Sequence, residues 1–100
     1  MKEIGVRRGA KVRVYKYPLT FDERGVAETS IPGTITHVGF DPQQVLCVWA
    51  VVWPEEFEPA QRQVLMVGTG HDLPPGTWGY LQTIHDPWGM VWHFFAGWAQ

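Results

Sequence analysis

The residues best suited to chemistry lie in a Gly-Thr-Gly-His corner, Gly68, Thr69, Gly70 and His71, at the end of an apolar run. Glycines allow positive φ and leave backbone N–H groups accessible, so the corner can hold an anion, with the Thr69 hydroxyl and the His71 ring as further donors. It is not a P-loop, because no Gly-Lys-Ser/Thr follows and the next residues are rich in proline. The corner is equally typical of a tight turn in which the glycines serve geometry alone.

A second set of candidate ligand-binding side chains lies on one face of an alternating segment near the N-terminus: Lys11, Arg13, Tyr15 and Tyr17. Val12 and Val14 point to the other face, and Pro18 ends the strand. Basic residues followed by two tyrosines would suit a phosphate and a stacked base. An ordinary solvated strand face has the same composition, so both interpretations stay open.

Recognised catalytic and metal-binding patterns are missing from the sequence. Ser30 is the only serine and lacks the flanking glycines of a nucleophile elbow. Cys47 lies in an apolar run, which predicts a buried, unreactive thiol. The pairs His71-Asp72 and His85-Asp86 place neighbouring side chains on opposite faces of a strand, and the histidine spacing is not typical of a metal site. We therefore predict no catalytic residue, no metal and no cofactor.

Composition and charge limit the classes of partner. The chain has 100 residues, is 45% hydrophobic and carries a net charge of −2, which is typical of one folded domain. No apolar run reaches the roughly 18 residues that span a bilayer, and no signal peptide is evident, so we expect no membrane partner and a cytoplasmic location. Seven of the eight basic residues lie in residues 1–24, a split that can steer an anion. The negative total argues against double-stranded DNA.

Strand and turn signals predict an all-β or β-dominated fold, a small antiparallel sheet or barrel-like domain of six to seven strands with at most one short helical turn. After the first strand, the predicted strands cover residues 26–31, 34–40, 45–53, 63–67, 77–85 and 90–95, with turns predicted at residues 22–25, 41–44 and 86–89. In the strand at residues 77–85, alternation predicts one shared face for Trp78, Tyr80, Gln82 and Ile84. Residues 1–9 are predicted to be a flexible basic arm, and residues 10–100 a single β-rich domain. The connection at residues 54–59 is broken by prolines, and we expect Phe57 to be tucked in. Residues 59–62 could form the one helical turn that the prediction allows.

Two features predict a homo-oligomer. Residues 45–53 are apolar on both faces, so this strand should be central and covered on both sides. The chain also has six tryptophans, more than a core of this size encloses, so some are expected at an interface. The predicted interface residues are Trp78, Trp88, Trp92 and Trp98.

Four short blocks, residues 14–19, 46–50, 67–71 and 91–95, resemble a family of uncharacterised small proteins of tailed phages and prophages. The similarity spans most of residues 12–95 in the same order. The family has no assigned activity, so the resemblance implies no catalytic residues. It implies a phage accessory protein in the cytoplasm of the infected host cell. Such proteins often counter bacterial defence by sequestering a nucleotide messenger or by docking on a defence protein.

The leading hypothesis is a non-catalytic protein that binds and sequesters a small anionic, nucleotide-derived signalling molecule. In this hypothesis residues 68–71 hold phosphate, and Lys11 and Arg13 add charge. Tyr15, Tyr17 or an exposed tryptophan stacks on a base. The main alternative is a protein-docking inhibitor of a bacterial defence factor that uses the tryptophan-rich surface. Two further alternatives are a phosphodiesterase that uses His71 and a second histidine, and a minor virion protein.

Overall fold

The computed structural model describes residues 3–53 and 60–99, except for the side chains of residues 30, 60–62, 98 and 99. The strands are β1 (Arg13–Pro18), β2 (Val26–Ile31), β3 (Thr34–Phe40), β4 (Leu46–Val52), β5 (Ala60–Gly68), β6 (Gly76–His85) and β7 (Val91–Ala99). They form two antiparallel sheets, in the spatial orders β1-β4-β3 and β2-β5-β7-β6. The predicted β-dominated, seven-stranded antiparallel fold is confirmed. The sheets do not close into a barrel, so that part of the prediction is wrong.

The inner faces of the two sheets share one core. Phe94 of β7 is the largest fully buried side chain, and its ring centroid lies 6.2 Å from that of Phe21. The rest of the buried cluster comes from both sheets and the loop after β1: Leu19, Ala27, Ile31, Ile35, Val38, Val48, Ala50, Val52 and Val64. Removal of this apolar surface from water is the main force that holds the sheets together.

Strand β4 is the centre of the three-stranded sheet, as its apolar sequence predicts. Cys47 and Val51 point away from the core residues of β4, yet only 0% and 7% of their surfaces are exposed. Trp49, on the same outer face, packs its ring 5.3 Å from that of His37. Both faces of β4 are therefore covered within one chain, and β4 does not by itself require a second subunit. Oligomerisation stays a prediction.

Three predicted turns are confirmed, and each is closed by an aspartate: Asp22, Asp41 and Asp86. The aspartate N–H donates to the carbonyl four residues later. One carboxylate oxygen accepts from the N–H groups two and four residues later. The residue three positions after each aspartate has positive φ, and these residues are Gly25, Gln44 and Gly89. A single local arrangement therefore joins β1 to β2, β3 to β4 and β6 to β7.

The helical turn that the sequence allowed around residues 59–62 does not form at residues 60–62, because β5 already begins at Ala60. Ala60 pairs with Ile31, and the pairing continues along β2 to Leu65 and Val26. This ladder supplies the hydrogen bonds that favour a strand where the local sequence is neutral. Phe57 and the remainder of residues 54–59 lie outside the described residues.

A bulge in β6 overturns the prediction that Trp78, Tyr80, Gln82 and Ile84 share one face. The register against β7 shifts between Tyr80 and Gln82, and a bulge inserts one extra residue that reverses the alternation beyond it. Gln82 points inward, where its Oε1 accepts a hydrogen bond from the Val38 N–H at 3.0 Å. Tyr80 remains outside and is 62% exposed.

Candidate functional site

A groove of about 730 Å³ lies at the end of the four-stranded sheet, where β5 extends past β2. One wall is the β1–β2 turn, residues 22–25, and the other is the β5–β6 loop, residues 71–75. Met66, Gly68 and Trp92 line the space between the walls. The volume lies in the range of small-molecule binding sites.

The floor of the groove is open because Gly68 has no side chain. A Cβ at this position would lie 3.5 Å from the Trp92 ring and 3.8 Å from the His71 ring. The Met66 N–H donates to the Gly25 carbonyl at 2.8 Å, and N–H groups of alternate strand residues point to the same side. The N–H of Gly68 is therefore directed past the end of β2, into the groove. The floor thus offers two aromatic rings and one backbone donor.

The Gly-Thr-Gly-His corner is a tight turn that separates its two candidate side chains. The His71 N–H donates to the Gly68 carbonyl at 3.1 Å, and Gly70 has a φ of 89°, which favours glycine. His71 lines the groove. The Thr69 hydroxyl instead lies 2.8 Å from Nε2 of His93. The corner therefore does not aim both donors at one ligand.

Carboxylates outnumber cations along the groove. The Arg24 guanidinium lies 2.7 Å from the Asp22 carboxylate, and this hydrogen-bonded pair lowers the pKa of Asp22 and raises the pKa of Arg24. Glu23 and Asp72 also line the groove, and the part of the chain that the structure describes gives them no ion-pair partner. The excess of negative charge opposes phosphate, whereas carboxylate oxygens readily accept hydrogen bonds from hydroxyl and amino groups.

The four candidate residues near the N-terminus do not line this groove. In the β1–β4 ladder, Tyr15 pairs with Ala50 and Tyr17 with Val48, so both tyrosines lie on the core side of the sheet. Tyr17 packs against the core, and its burial raises the pKa of its hydroxyl.

The predicted alternation of β1 is therefore present with its sides reversed, and Val14 is 61% exposed. Lys11 and Arg13 are exposed. The role of these side chains, and of Tyr15 and Tyr17, in ligand binding stays a prediction.

The described tryptophans differ in what they contact. Trp78 donates its Nε1–H to the Pro74 carbonyl at 2.9 Å, which ties one wall of the groove to β6. Trp92 donates to the Asp86 carboxylate at 2.9 Å and packs against the core. Trp88 is 78% exposed at the tip of the β6–β7 hairpin. The side chain of Trp98 lies outside the described residues, and an interface role for all four stays a prediction.

His93 is the candidate functional residue that the sequence analysis missed. Its Nε2 lies 2.8 Å from Thr69 Oγ1, and its Nδ1 lies 3.1 Å from Thr83 Oγ1. The Tyr80 hydroxyl lies 2.7 Å from the same Thr83 oxygen. A signal existed in the sequence, because counting outward from the Asp86 turn pairs Thr83 with His93. The contact with Thr69 depends on the β5–β6 turn and has no such local signal.

Other candidate chemistry is limited in the described ranges, 3–53 and 60–99. No group of three or more His, Cys, Asp or Glu side chains there could hold a metal ion. No helix in these ranges is long and apolar enough to cross a membrane. Cys47 is buried as predicted, and burial raises the pKa of its thiol, which keeps the sulfur in its unreactive protonated form.

The described residues form a small two-sheet β protein with an open, acid-rimmed groove at the end of one sheet. Comparison with known families shows a match over residues 10–100 to DUF7352, a domain of unknown function. The chain therefore belongs to the DUF7352 family. No curated protein and no solved structure matched the chain.

Proposed function

We propose that the groove is a binding site without catalytic function, in which the protein sequesters a small nucleotide-derived molecule by its nucleoside part. The observation that carries this proposal is the floor at Gly68, which leaves the Trp92 and His71 rings accessible to a planar group. Stacking of a base on an aromatic ring contributes about 1–3 kcal/mol. The Gly68 N–H adds a donor for an acceptor atom of the base.

The charged residues of the groove determine which part of the ligand enters. The Glu23 and Asp72 carboxylates suit the hydroxyls of a ribose or the exocyclic amino group of a base. They repel phosphate, so the phosphates of the ligand are placed outside the groove. The groove therefore holds the nucleoside part of the ligand, whereas the sequence-based hypothesis had residues 68–71 hold its phosphate. Affinity should fall as phosphates are added.

The experiment that tests this proposal is native mass spectrometry, followed by calorimetry, with nucleosides, nucleoside monophosphates and cyclic dinucleotides. A bound nucleoside, with weaker binding of its more highly phosphorylated forms, supports the proposal. Binding that strengthens with the number of phosphates would contradict the proposal and favour a phosphate site at residues 68–71. A nucleotide recovered in cleaved form would favour the phosphodiesterase alternative.

Two groove variants locate the ligand. Gly68→Ala places a methyl group at ordinary contact distance from Trp92 and His71, so it should fold normally and weaken binding about tenfold or more by filling the floor. His71→Ala should weaken binding by removing one ring. The matched control is His85→Ala, an exposed histidine that does not line the groove. Unchanged affinity in both groove variants would reject the site, and loss in Arg13→Ala alone would move it to β1.

A second candidate function, docking on a protein, is favoured by the exposed side chains of the last hairpin. Tyr80, Trp88 and Met90 are 62%, 78% and 50% exposed, and aromatic residues and methionine are enriched at protein interfaces. This candidate predicts no affinity for nucleosides and loss of partner binding in Trp88→Ala. His71→Ala should then leave partner binding intact.

A phage source and a counter-defence role follow from the resemblance and rest on genomic context. Both candidate functions are compatible with them. The test is expression of the protein in bacteria whose defence against phage depends on a nucleotide messenger, followed by challenge with phage. If the protein restores plaque formation and His71→Ala does not, the counter-defence effect depends on the groove. If Trp88→Ala is the variant that fails, the effect depends on protein docking.

A further inference from the structure

We propose that Thr69 is an acyl-accepting nucleophile activated by His93, at a second site separate from the groove. The Thr69 hydroxyl lies 2.8 Å from His93 Nε2, within the distance at which a general base can remove a proton. A threonine hydroxyl is a weak nucleophile by itself, and an adjacent base is the usual means of activating it.

The other nitrogen of His93 is held by a second hydroxyl. Nδ1 lies 3.1 Å from Thr83 Oγ1, which in turn lies 2.7 Å from the Tyr80 hydroxyl. In the tautomer that carries its proton on Nδ1, the ring donates to Thr83, and Nε2 presents a lone pair to the Thr69 hydroxyl. Thr83 and Tyr80 are then positioning residues, which fix the tautomer and the ring orientation.

The position of this pair favours access by a substrate. Trp92 and Phe94, the neighbours of His93 in β7, pack into or against the core, so the alternation of the strand directs His93 to the outer face of the sheet. Thr69 is exposed, and its chain neighbours Gly68 and Gly70 have no side chains. The Gly70 N–H makes no turn or loop hydrogen bond among the described residues, and it is available to a developing oxyanion.

The reaction class is acyl transfer from an activated ester or thioester. Thr69 Oγ1 attacks the acyl carbon, and His93 Nε2 takes the hydroxyl proton. The tetrahedral intermediate then expels the alcohol or thiol leaving group, which receives that proton from His93. The products are a Thr69 acyl ester and the free leaving group. All atoms and electrons balance without a metal or a redox partner.

The test uses p-nitrophenyl acetate with the full-length protein. Release of nitrophenol is followed by absorbance, and the acetylated residue is located by peptide mass spectrometry. We expect one acetyl group on Thr69. Thr69→Val should abolish this label, and Thr69→Ser, which keeps a hydroxyl, should retain it. His93→Gln should slow labelling about 100-fold, a usual contribution of a general base.

The matched control is Thr36→Val. Thr36 is an exposed threonine whose hydroxyl donates to the Trp49 carbonyl at 3.3 Å instead of contacting a histidine, so labelling of Thr69 should be unchanged. Circular dichroism checks that each variant is folded. An unlabelled Thr69 in the folded protein, or equal labelling rates in His93→Gln and the parent, would overturn the proposal. Neither result depends on whether the groove binds a nucleoside.

Discussion

Gln44 occupies the backbone position that Gly89 occupies in another hairpin, and it does so with a φ of 66° against 89° for the glycine. Both residues stand three positions after an aspartate that caps its own turn. The left-handed region costs a non-glycine residue about 1–2 kcal/mol. The turn after β3 therefore has the same aspartate hydrogen bonds as the other two turns. At the position of positive φ, however, it has Gln44, which pays a backbone cost that Gly25 and Gly89 avoid.

We expect Gln44→Gly to stabilise the protein. The gain in the folded state is offset in part by the greater entropy of glycine in the unfolded chain, so the net increase in the free energy of unfolding should be about 0.5 kcal/mol. Chemical denaturation measures it. Gln43→Gly, one residue earlier, is the control and should not stabilise. A lower denaturation midpoint for Gln44→Gly would show that the Gln44 side chain contributes more than its backbone costs.

Gly25 and Gly89 should differ in their tolerance of alanine. A Cβ on Gly89 would meet nothing within 4 Å, whereas a Cβ on Gly25 would lie 2.6 Å from the backbone carbonyl oxygen of Met66. Gly89→Ala should therefore lower the free energy of unfolding only by the cost of positive φ for alanine, about 1 kcal/mol. Gly25→Ala should cost clearly more, because the Met66 carbonyl must move. Thermal or denaturant unfolding of the two variants measures this difference, and equal losses would contradict the close approach.

Acid should destabilise the protein through its three turn aspartates. Hydrogen bonds hold the pKa of each below the usual 3.8: from Arg24 to Asp22, from the Val45 N–H to Asp41, and from Trp92 to Asp86. A carboxyl group whose folded-state pKa is lowered contributes stability above its unfolded pKa, and that contribution is lost as pH falls through the folded pKa. The free energy of unfolding should thus decline below about pH 4.

Asp86→Asn separates this effect from general acid denaturation. The variant should be less stable than the parent at pH 7. Oδ1 of Asp86 accepts from two backbone N–H groups and Oδ2 accepts from Trp92, whereas an asparagine has one amide oxygen and must leave one of these sets without its acceptor. The stability of the variant should also decrease less between pH 5 and pH 2. A parallel decline in parent and variant would mean that Asp86 does not take part in the acid response.

The observed faces of β1 predict that a lysine is tolerated at one position of the strand and destabilising at another. Val14→Lys places a charge on an exposed surface and should change the free energy of unfolding by less than about 0.5 kcal/mol. Tyr17→Lys removes an aromatic ring that packs against the core, and it should cost about 2–4 kcal/mol. Urea denaturation of both variants checks the assignment. A larger loss for Val14→Lys would favour the arrangement expected from the sequence.

The features of the fold that the sequence predicted depend on residues close together in the chain. The aspartate turns depend on residues within four positions of each other, and each was recognisable from its Asp and its Gly, Pro or Gln neighbours. The apolar residues of β4 marked a central strand because a strand that is buried on both faces needs no alternation. The faces of β1 could not be assigned in this way, because alternation gives two faces without saying which one meets the second sheet.

The candidate sites depend on contacts that no local pattern includes. The groove joins residues 22–25 to residues 71–75, and these segments meet only because β2 pairs with β5. The contact of Thr69 with His93 likewise depends on β5 and β7 being neighbours. The composition of residues 68–71 indicated a site, but the turn directs Thr69 and His71 to different partners.

The pairing of Ile31 with Ala60 has a consequence for the order of folding. The chain leaves the four-stranded sheet after Ile31, forms the β3–β4 hairpin, and returns at the residue opposite the point of departure. Closure of a long flexible loop costs conformational entropy, and prior formation of a hairpin within the loop shortens the effective loop. The β3–β4 hairpin is therefore expected to form before the β2–β5 ladder. Slower folding, with little change in the unfolding rate, would be the kinetic signature of substitutions that weaken its turn at Asp41.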